Sequence, residues 1–149
     1  ELMFGWTVSD YYSDPVLLIK PAWGGMSLAV DFRPPSSGFR NYTCWPEYQC
    51  AEPYIAQSDY SKRYHLMIKM VRETLENVRD YVPVDFDDYV LSGLVWFQGW
   101  NDMLRREWVD EYQFNLENFI RDVRRDLGVP DLPTGTKSFN IAACSQQTQ

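Results

Sequence analysis

Between residues 58 and 81, Tyr64, Met67, Val71, Leu75 and Val78 recur every three or four positions, with Lys69, Arg72, Glu73 and Glu76 on the other faces. That period predicts an amphipathic helix, and Pro83 stops it. The same spacing returns at Tyr112, Leu116, Phe119, Val123 and Leu127, so a second helix is expected over 109–127, ended by Gly128 and Pro130. Two apolar runs lack this period and read as strands: Pro15-Val16-Leu17-Leu18-Ile19-Lys20, and residues 90–98. Residues 1–12 carry Leu2, Trp6 and Val8 around Gly5 and read as the end of a helix. The resulting order is α, β, long loop, α, β, α, tail. Strand, helix, strand, helix implies a right-handed parallel crossover, and the expected class is α/β.

Both strands run into glycine-containing loops. After the first comes Pro21-Ala22-Trp23-Gly24-Gly25-Met26-Ser27, and the second passes through Trp96-Phe97 into Gln98-Gly99-Trp100-Asn101-Asp102. A Gly-Gly pair lets backbone N–H groups approach a ligand with no Cβ in the way, one way to build a donor site for developing negative charge. Asn101 and Asp102 stand where the carboxyl end of a buried strand meets the crevice that binds ligands in open α/β sheets. Parallel strands would bring the two loops to one edge of the sheet. The competing readings are a tight turn at Gly24-Gly25 and a helix cap at Asn101 or Asp102.

The Trp-Gly-Gly-x-Ser loop at 23–27, the Asp31-Phe32-Arg33-Pro34-Pro35-Ser36-Ser37-Gly38 segment and the string from Trp96 to Met103 together resemble the sialate O-acetylesterase-type domain of the SGNH hydrolases, close to the carbohydrate esterases. The resemblance implies a three-layer α/β/α fold with a parallel sheet (SGNH/flavodoxin-like), truncated at both ends, and ester hydrolysis through a serine nucleophile. It places Gly24 or Gly25 at the backbone oxyanion donor and Asn101 at the second donor. Trp23, Gln98, Gly99, Trp100 and Asp102 are then expected to contact substrate, an acetylated carbohydrate. Many relatives have Gln-Gly-Glu-Ser-Asp where this chain has Gln98-Gly99-Trp100-Asn101-Asp102.

The family's nucleophile motif, Gly-Asp-Ser or Gly-Gln-Ser, is absent, and so is the Asp-x-x-His that supplies its base. The sole histidine, His65, falls inside the first predicted helix and reads as a surface or packing residue, and the resemblance puts Ser27 just past the oxyanion loop. The expectation is therefore a partial esterase domain over 1–133 with the oxyanion half of the site, followed by a divergent or frayed tail over 134–149. The alternative is a non-catalytic carbohydrate-binding or interaction domain that has lost the triad.

Composition narrows this further. At 149 residues, 45% hydrophobic and 16% aromatic, the chain suits one domain with a packed core. A net charge of −7 argues against nucleic acid, and Arg121, Arg124 and Arg125 alternate with Asp122 and Asp126 as on a solvated helix face. No apolar run is long enough to span a membrane. Cys44 and Cys50 flank a short loop, and Asn41-Tyr42-Thr43 matches a glycosylation acceptor; both lean toward a secreted or extracytoplasmic setting. One histidine and no Cys-x-x-Cys argue against zinc, the Asp85, Asp87, Asp88 cluster lacks the calcium-loop pattern, and no cofactor is implied. The long segment 31–57, with Trp45, Tyr48 and Tyr54, either lines a binding site or folds back over the sheet edge.

Overall fold

A computed structural model describes residues 2–42, 55–82, 85, 86 and 88–135. The expected loop rings Trp45, Tyr48 and Tyr54 and the cysteines Cys44, Cys50 and Cys144 lie outside the described residues. Two compact units divide the chain. The first draws on Glu1–Ala22, Lys69–Phe97 and Arg124–Gln149, the second on Trp23–Ile68 and Gln98–Val123.

In the first unit, helix α1 spans Leu2–Tyr11. Gly5 lets it pack closely, since a Cβ there would lie 3.4 Å from the Leu18 side chain. The segment 15–20 buries Ile19, which packs with Val71 and Leu75 beneath Leu17, Tyr89, Leu91 and Leu127. It is not a strand, however. Apolar content predicts burial, whereas a strand also requires a neighbour for its backbone groups, and among the described residues only β1 (Leu94–Val95) and β2 (Thr134–Gly135) pair. They are parallel, Leu94 opposite Thr134 and Val95 opposite Gly135. Leu94 N–H donates to Pro133 O at 2.8 Å and Trp96 N–H to Gly135 O at 3.0 Å. The second strand of the α/β pattern thus comes from the segment after Pro133, where the sequence suggested a tail.

Among the described residues three α-helices follow α1. Helix α2 is Lys62–Glu76, α3 is Val78–Tyr81, and α4 is Arg106–Leu127. The predicted stripe Tyr64, Met67, Val71, Leu75 and Val78 is buried throughout, but the helix is shorter at both ends than its periodicity suggested. Ser61 sits at φ 63, which no continuing helix tolerates. At the other end Asn77 Nδ2 donates to Glu73 O at 2.7 Å while Asn77 leaves the helical region at φ −113, ψ 28. A short amide that bonds nearby carbonyls competes with the helical ladder, so the run splits into α2 and α3. Helix α4 begins three residues earlier than expected, directly after the extended Arg105. It ends as predicted at Gly128, whose φ of 72 allows Gly128 N–H to reach Arg125 O at 3.2 Å and Val129 N–H to reach Arg124 O at 3.0 Å. That pair of bonds satisfies the last carbonyls of the helix.

Two sets of packed rings and apolar side chains stand out among the described residues of the second unit. Tyr64 meets Phe119 edge to face at 5.9 Å, and Ala29, Val30 and Tyr42 pack with Ile55, Tyr60 and Trp108. Among the described residues no helix is long and apolar enough to cross a membrane.

Candidate functional site

Every residue singled out from the two glycine loops lies in the second unit. Residues 26–33 form consecutive tight turns, with Phe32 N–H donating to Ser27 O at 2.9 Å and Arg33 N–H to Val30 O at 3.3 Å. Asp31 locks them from its side chain. Its Oδ2 accepts Ser27 N–H at 2.8 Å and Ser27 Oγ–H at 3.0 Å, and Ser27 Oγ in turn accepts Val30 N–H at 3.2 Å. Ser27 is 2% exposed and its one hydroxyl proton is committed to a carboxylate. In this arrangement Ser27 holds a turn.

The second loop is tied to this turn by one carboxylate. Asp102 is 2% exposed, and its two oxygens accept Ala29 N–H at 2.8 Å and Leu28 N–H at 2.9 Å, with Gln98 Nε2 adding a third bond at 2.5 Å. Burial pushes the Asp102 carboxyl above the usual range, and the bonds from Gln98, Leu28 and Ala29 pull it partly back. The sequence suggested that Asp102 and Gln98 contact substrate. In the structure both of Asp102's oxygens face backbone, so it is a brace between loops. Gln98 serves the same purpose: Nε2 also donates to Met26 O at 3.0 Å, while Tyr112 Oη–H lies 2.6 Å from Gln98 O and 3.3 Å from Oε1. Gly99, at φ 155, stands under that same phenol, where an added Cβ would come within 3.6 Å of the Tyr112 oxygen.

With the loops braced, Gly25 and Asn101 come together. Gly25 adopts φ 76, and the point a Cβ would occupy there is 4.0 Å from Asn101 Nδ2. Asn101 is half-buried and flanks the short turn Asp102–Leu104, yet its side chain makes no capping bond to that turn. The helix-cap reading of Asn101 therefore fails, and among the described residues its amide N–H groups have no acceptor and lie beside the Gly25 backbone. Gly24 is exposed, with nothing within 4 Å of its would-be Cβ. Trp100 is 75% exposed. Trp23 is half-buried, with its ring 6.0 Å from Phe32 and under the Arg63 guanidinium at 5.1 Å. His65 is exposed on α2.

The sequence reading missed what fixes the Asp31 to Gly38 segment. Buried Arg33 donates from Nη1 to Ala29 O at 3.0 Å and to Tyr42 Oη at 2.9 Å, from Nε to Gly38 O at 2.5 Å, and from Nη2 to Ser37 O at 3.3 Å and Glu111 Oε2 at 3.2 Å. Glu111 also takes the Tyr42 hydroxyl and lies 3.5 Å from Arg40. Farther along α4, Asn118 Nδ2 donates to Ser37 Oγ at 3.0 Å and Asp122 Oδ2 accepts Ser36 N–H at 2.9 Å. Tyr60, stacked near this cluster and donating to Arg40 O at 2.6 Å, has its phenol pushed up to about 12 by burial, against the pull of Arg33, Arg105 and Arg40. The missed signal was the spacing of Glu111, Asn115, Asn118 and Asp122, which puts four polar groups on one stripe of α4.

Among known families, the model described as carbohydrate esterase, sialic acid-specific acetylesterase matches residues 1–147. A probable carbohydrate esterase of Arabidopsis thaliana is 27% identical over 84 residues, which is 56% of this chain and 30% of that relative's length. No solved structure matches the chain.

Proposed function

The chain belongs to the carbohydrate esterase, sialic acid-specific acetylesterase family, and on that premise we propose that it carries the oxyanion-binding half of an active site that removes O-acetyl groups from carbohydrate, sialate among them. The observation that carries this is the free amide of Asn101 set against the Gly25 backbone. When a serine oxygen attacks the acetyl carbonyl, the carbonyl oxygen becomes an anion. Backbone N–H at Gly24 or Gly25 and Asn101 Nδ2 then donate to it, and such donors gain most where charge develops. Collapse releases the sugar hydroxyl and leaves an acetyl-enzyme, which water hydrolyses to acetate. The family's serine and histidine motifs are absent from these 149 residues, so in this reading nucleophile and base come from outside them. The full domain would have the three-layer α/β/α arrangement, and an exposed Asn41 within an acceptor motif supports a secreted setting.

Asn101→Ala in a chain that carries the nucleophile and base tests the reading. We expect kcat to fall about 100- to 1,000-fold with KM little changed, and an unchanged kcat would refute it. The second reading, a carbohydrate-binding domain without catalysis, is favoured by the missing motifs together with the exposed Trp100. It requires acetylated and deacetylated sugars to bind alike, with no hydrolysis by any longer form of the chain.

A further inference from the structure

Tyr112 falls on the apolar stripe of α4 with Phe119 and Val123. Those two are fully buried, whereas Tyr112 is half-buried and its phenol reaches the second glycine loop. Its one hydroxyl proton goes to Gln98, whose backbone oxygen lies 2.6 Å away and whose Oε1 lies 3.3 Å away. Gln98 has both amide protons committed as well, one to Met26 O at 3.0 Å and one to Asp102 Oδ2 at 2.5 Å. Met26 follows Gly25 and Asp102 follows Asn101, so a single side-chain amide ties together the immediate neighbours of both proposed donors. Tyr112 fixes where the residue bearing that amide lies.

The shorter of the two contacts is to the backbone. Gln98 O belongs to the peptide joined to Gly99, which turns the chain at φ 155. On the far side, Gly99 O accepts Met103 N–H at 3.1 Å and Asn101 O accepts Leu104 N–H at 3.3 Å. The peptide after Gly99 is thus closed into the turn that carries Asn101, and the peptide before it is held by the Tyr112 hydroxyl. Glycine resists backbone rotation less than any other residue. Without that hydroxyl the peptide between Gln98 and Gly99 can swing, and the Asn101 amide shifts with the turn. The same helix also holds the other loop: Glu111, next to Tyr112, takes Arg33 Nη2, and Arg33 Nη1 donates to Ala29 O. Helix α4 therefore frames both loops of the donor pair.

We propose that Tyr112 is a positioning residue for ester hydrolysis: through Gln98 and Gly99 it sets how Asn101 Nδ2 stands to the Gly25 backbone. This rests on the esterase reading. An oxyanion donor must lie about 2.7–3.1 Å from the anion, and a misplacement near 1 Å can cost about 100-fold in rate. In a chain that carries the nucleophile and base, Tyr112→Phe should lower kcat roughly 10- to 100-fold with KM nearly unchanged. Added to Asn101→Ala, the same change should cost less than about threefold, because the group it positions is gone. 4-Aminophenylalanine in place of Tyr112 keeps a donor near the same point and should recover most of kcat. Geometry is read separately in the 149-residue chain by NMR. There the Asn101 side-chain NH2 signals, assigned through Asn101→Asp, should shift in Tyr112→Phe. Equal losses in the two backgrounds, no recovery with 4-aminophenylalanine, unmoved Asn101 signals, or a Tyr112→Phe chain that no longer folds would each overturn the assignment. The two readings fail apart. If Asn101→Ala lowers kcat and Tyr112→Phe does not, the role of Tyr112 falls and the esterase reading stands. If Tyr112→Phe moves the Asn101 signals but Asn101→Ala leaves kcat unchanged, the esterase reading fails and takes the catalytic purpose of the linkage with it.

Discussion

Replacing Asp102 should loosen the two loops that build the site, and the size of the effect can be worked from its partners. Asp102→Ala strips the acceptor from Leu28 N–H and Ala29 N–H, which lie on fully buried residues, and from Gln98 Nε2. Hydrogen bonds to a charged group contribute about 1.5–3 kcal/mol each, and a buried donor left unpaired costs about 1–3 kcal/mol. Against that, the mutation removes a carboxylate that burial disfavours, as its raised pKa records. The net expectation is a loss of about 2–5 kcal/mol, a large share of the roughly 5–15 kcal/mol that holds a typical domain together. Urea denaturation followed by tryptophan fluorescence measures it. Asp102→Asn should cost less, about 1–3 kcal/mol, because one oxygen still accepts while the new NH2 faces a donor. The pH dependence has a definite sign. A carboxyl whose folded pKa lies above its unfolded value adds stability that is fully present below about pH 3.9 and is lost as pH rises through the folded pKa. The wild type should therefore gain on Asp102→Asn as pH falls through that interval. A loss under about 0.5 kcal/mol for Asp102→Ala, together with weakened sugar binding, would show that the carboxylate contacts substrate and does not brace the loops.

Glu111→Ala strands the buried Arg33 guanidinium and should cost about 3–5 kcal/mol, whereas the double replacement Arg33→Met, Glu111→Leu should recover much of that loss; an additive double mutant in urea melts would refute the coupling. Of the ten tyrosines, Tyr60 should ionise only near pH 12 in a titration read at 295 nm. Its contribution to stability is full below about pH 10 and is lost as pH rises through 12, so Tyr60→Phe should remove that late step, and a profile unchanged by the mutation would count against the burial argument. Asn115 is completely buried, and among the described residues neither of its amide atoms is hydrogen-bonded. Asn115→Leu, which keeps the same forked skeleton and has no unpaired polar atoms, should raise stability by about 1–3 kcal/mol, and a lower urea midpoint would mean that the amide has a bound partner such as water or that the larger methyls overpack the site.

The helices were legible because a 3.6-residue period reports which face is buried, whatever it is buried against. Their ends were less so. Nothing in the stripe at Tyr64 to Val78 announces that Asn77 will turn its amide back on Glu73, since that choice depends on a bond and not on hydrophobicity. Residues 15–20 show the same limit from the other side, where Ile19 is buried as an apolar run requires but the ladder is made by β1 with residues beyond Pro133. Thr134 and Gly135 have no β-branched run to advertise a strand, and their pairing is fixed by Leu94 and Trp96 reaching for the carbonyls of Pro133 and Gly135.

The site divides along a similar line. Gly24, Gly25 and Asn101 are proposed as donors because oxyanion chemistry demands backbone approach and a neutral donor, and the family resemblance points to the same loops. Sequence alone could not separate the proposed donor from its scaffold. Adjacent in the chain, Asn101 and Asp102 face opposite duties: the amide is left free beside Gly25, while the carboxylate spends both oxygens on the backbone of Leu28 and Ala29. The Asp31 to Gly38 segment reads the same way once α4 is in place. Arg33, Ser36 and Ser37 each meet a member of the stripe Glu111, Asn118, Asp122, so a motif that resembled a family's signature is in this structure a docking strip. It fixes the segment whose turns at Ser27 to Asp31 carry the Asp102 brace, and through that brace the spacing between Gly25 and Asn101.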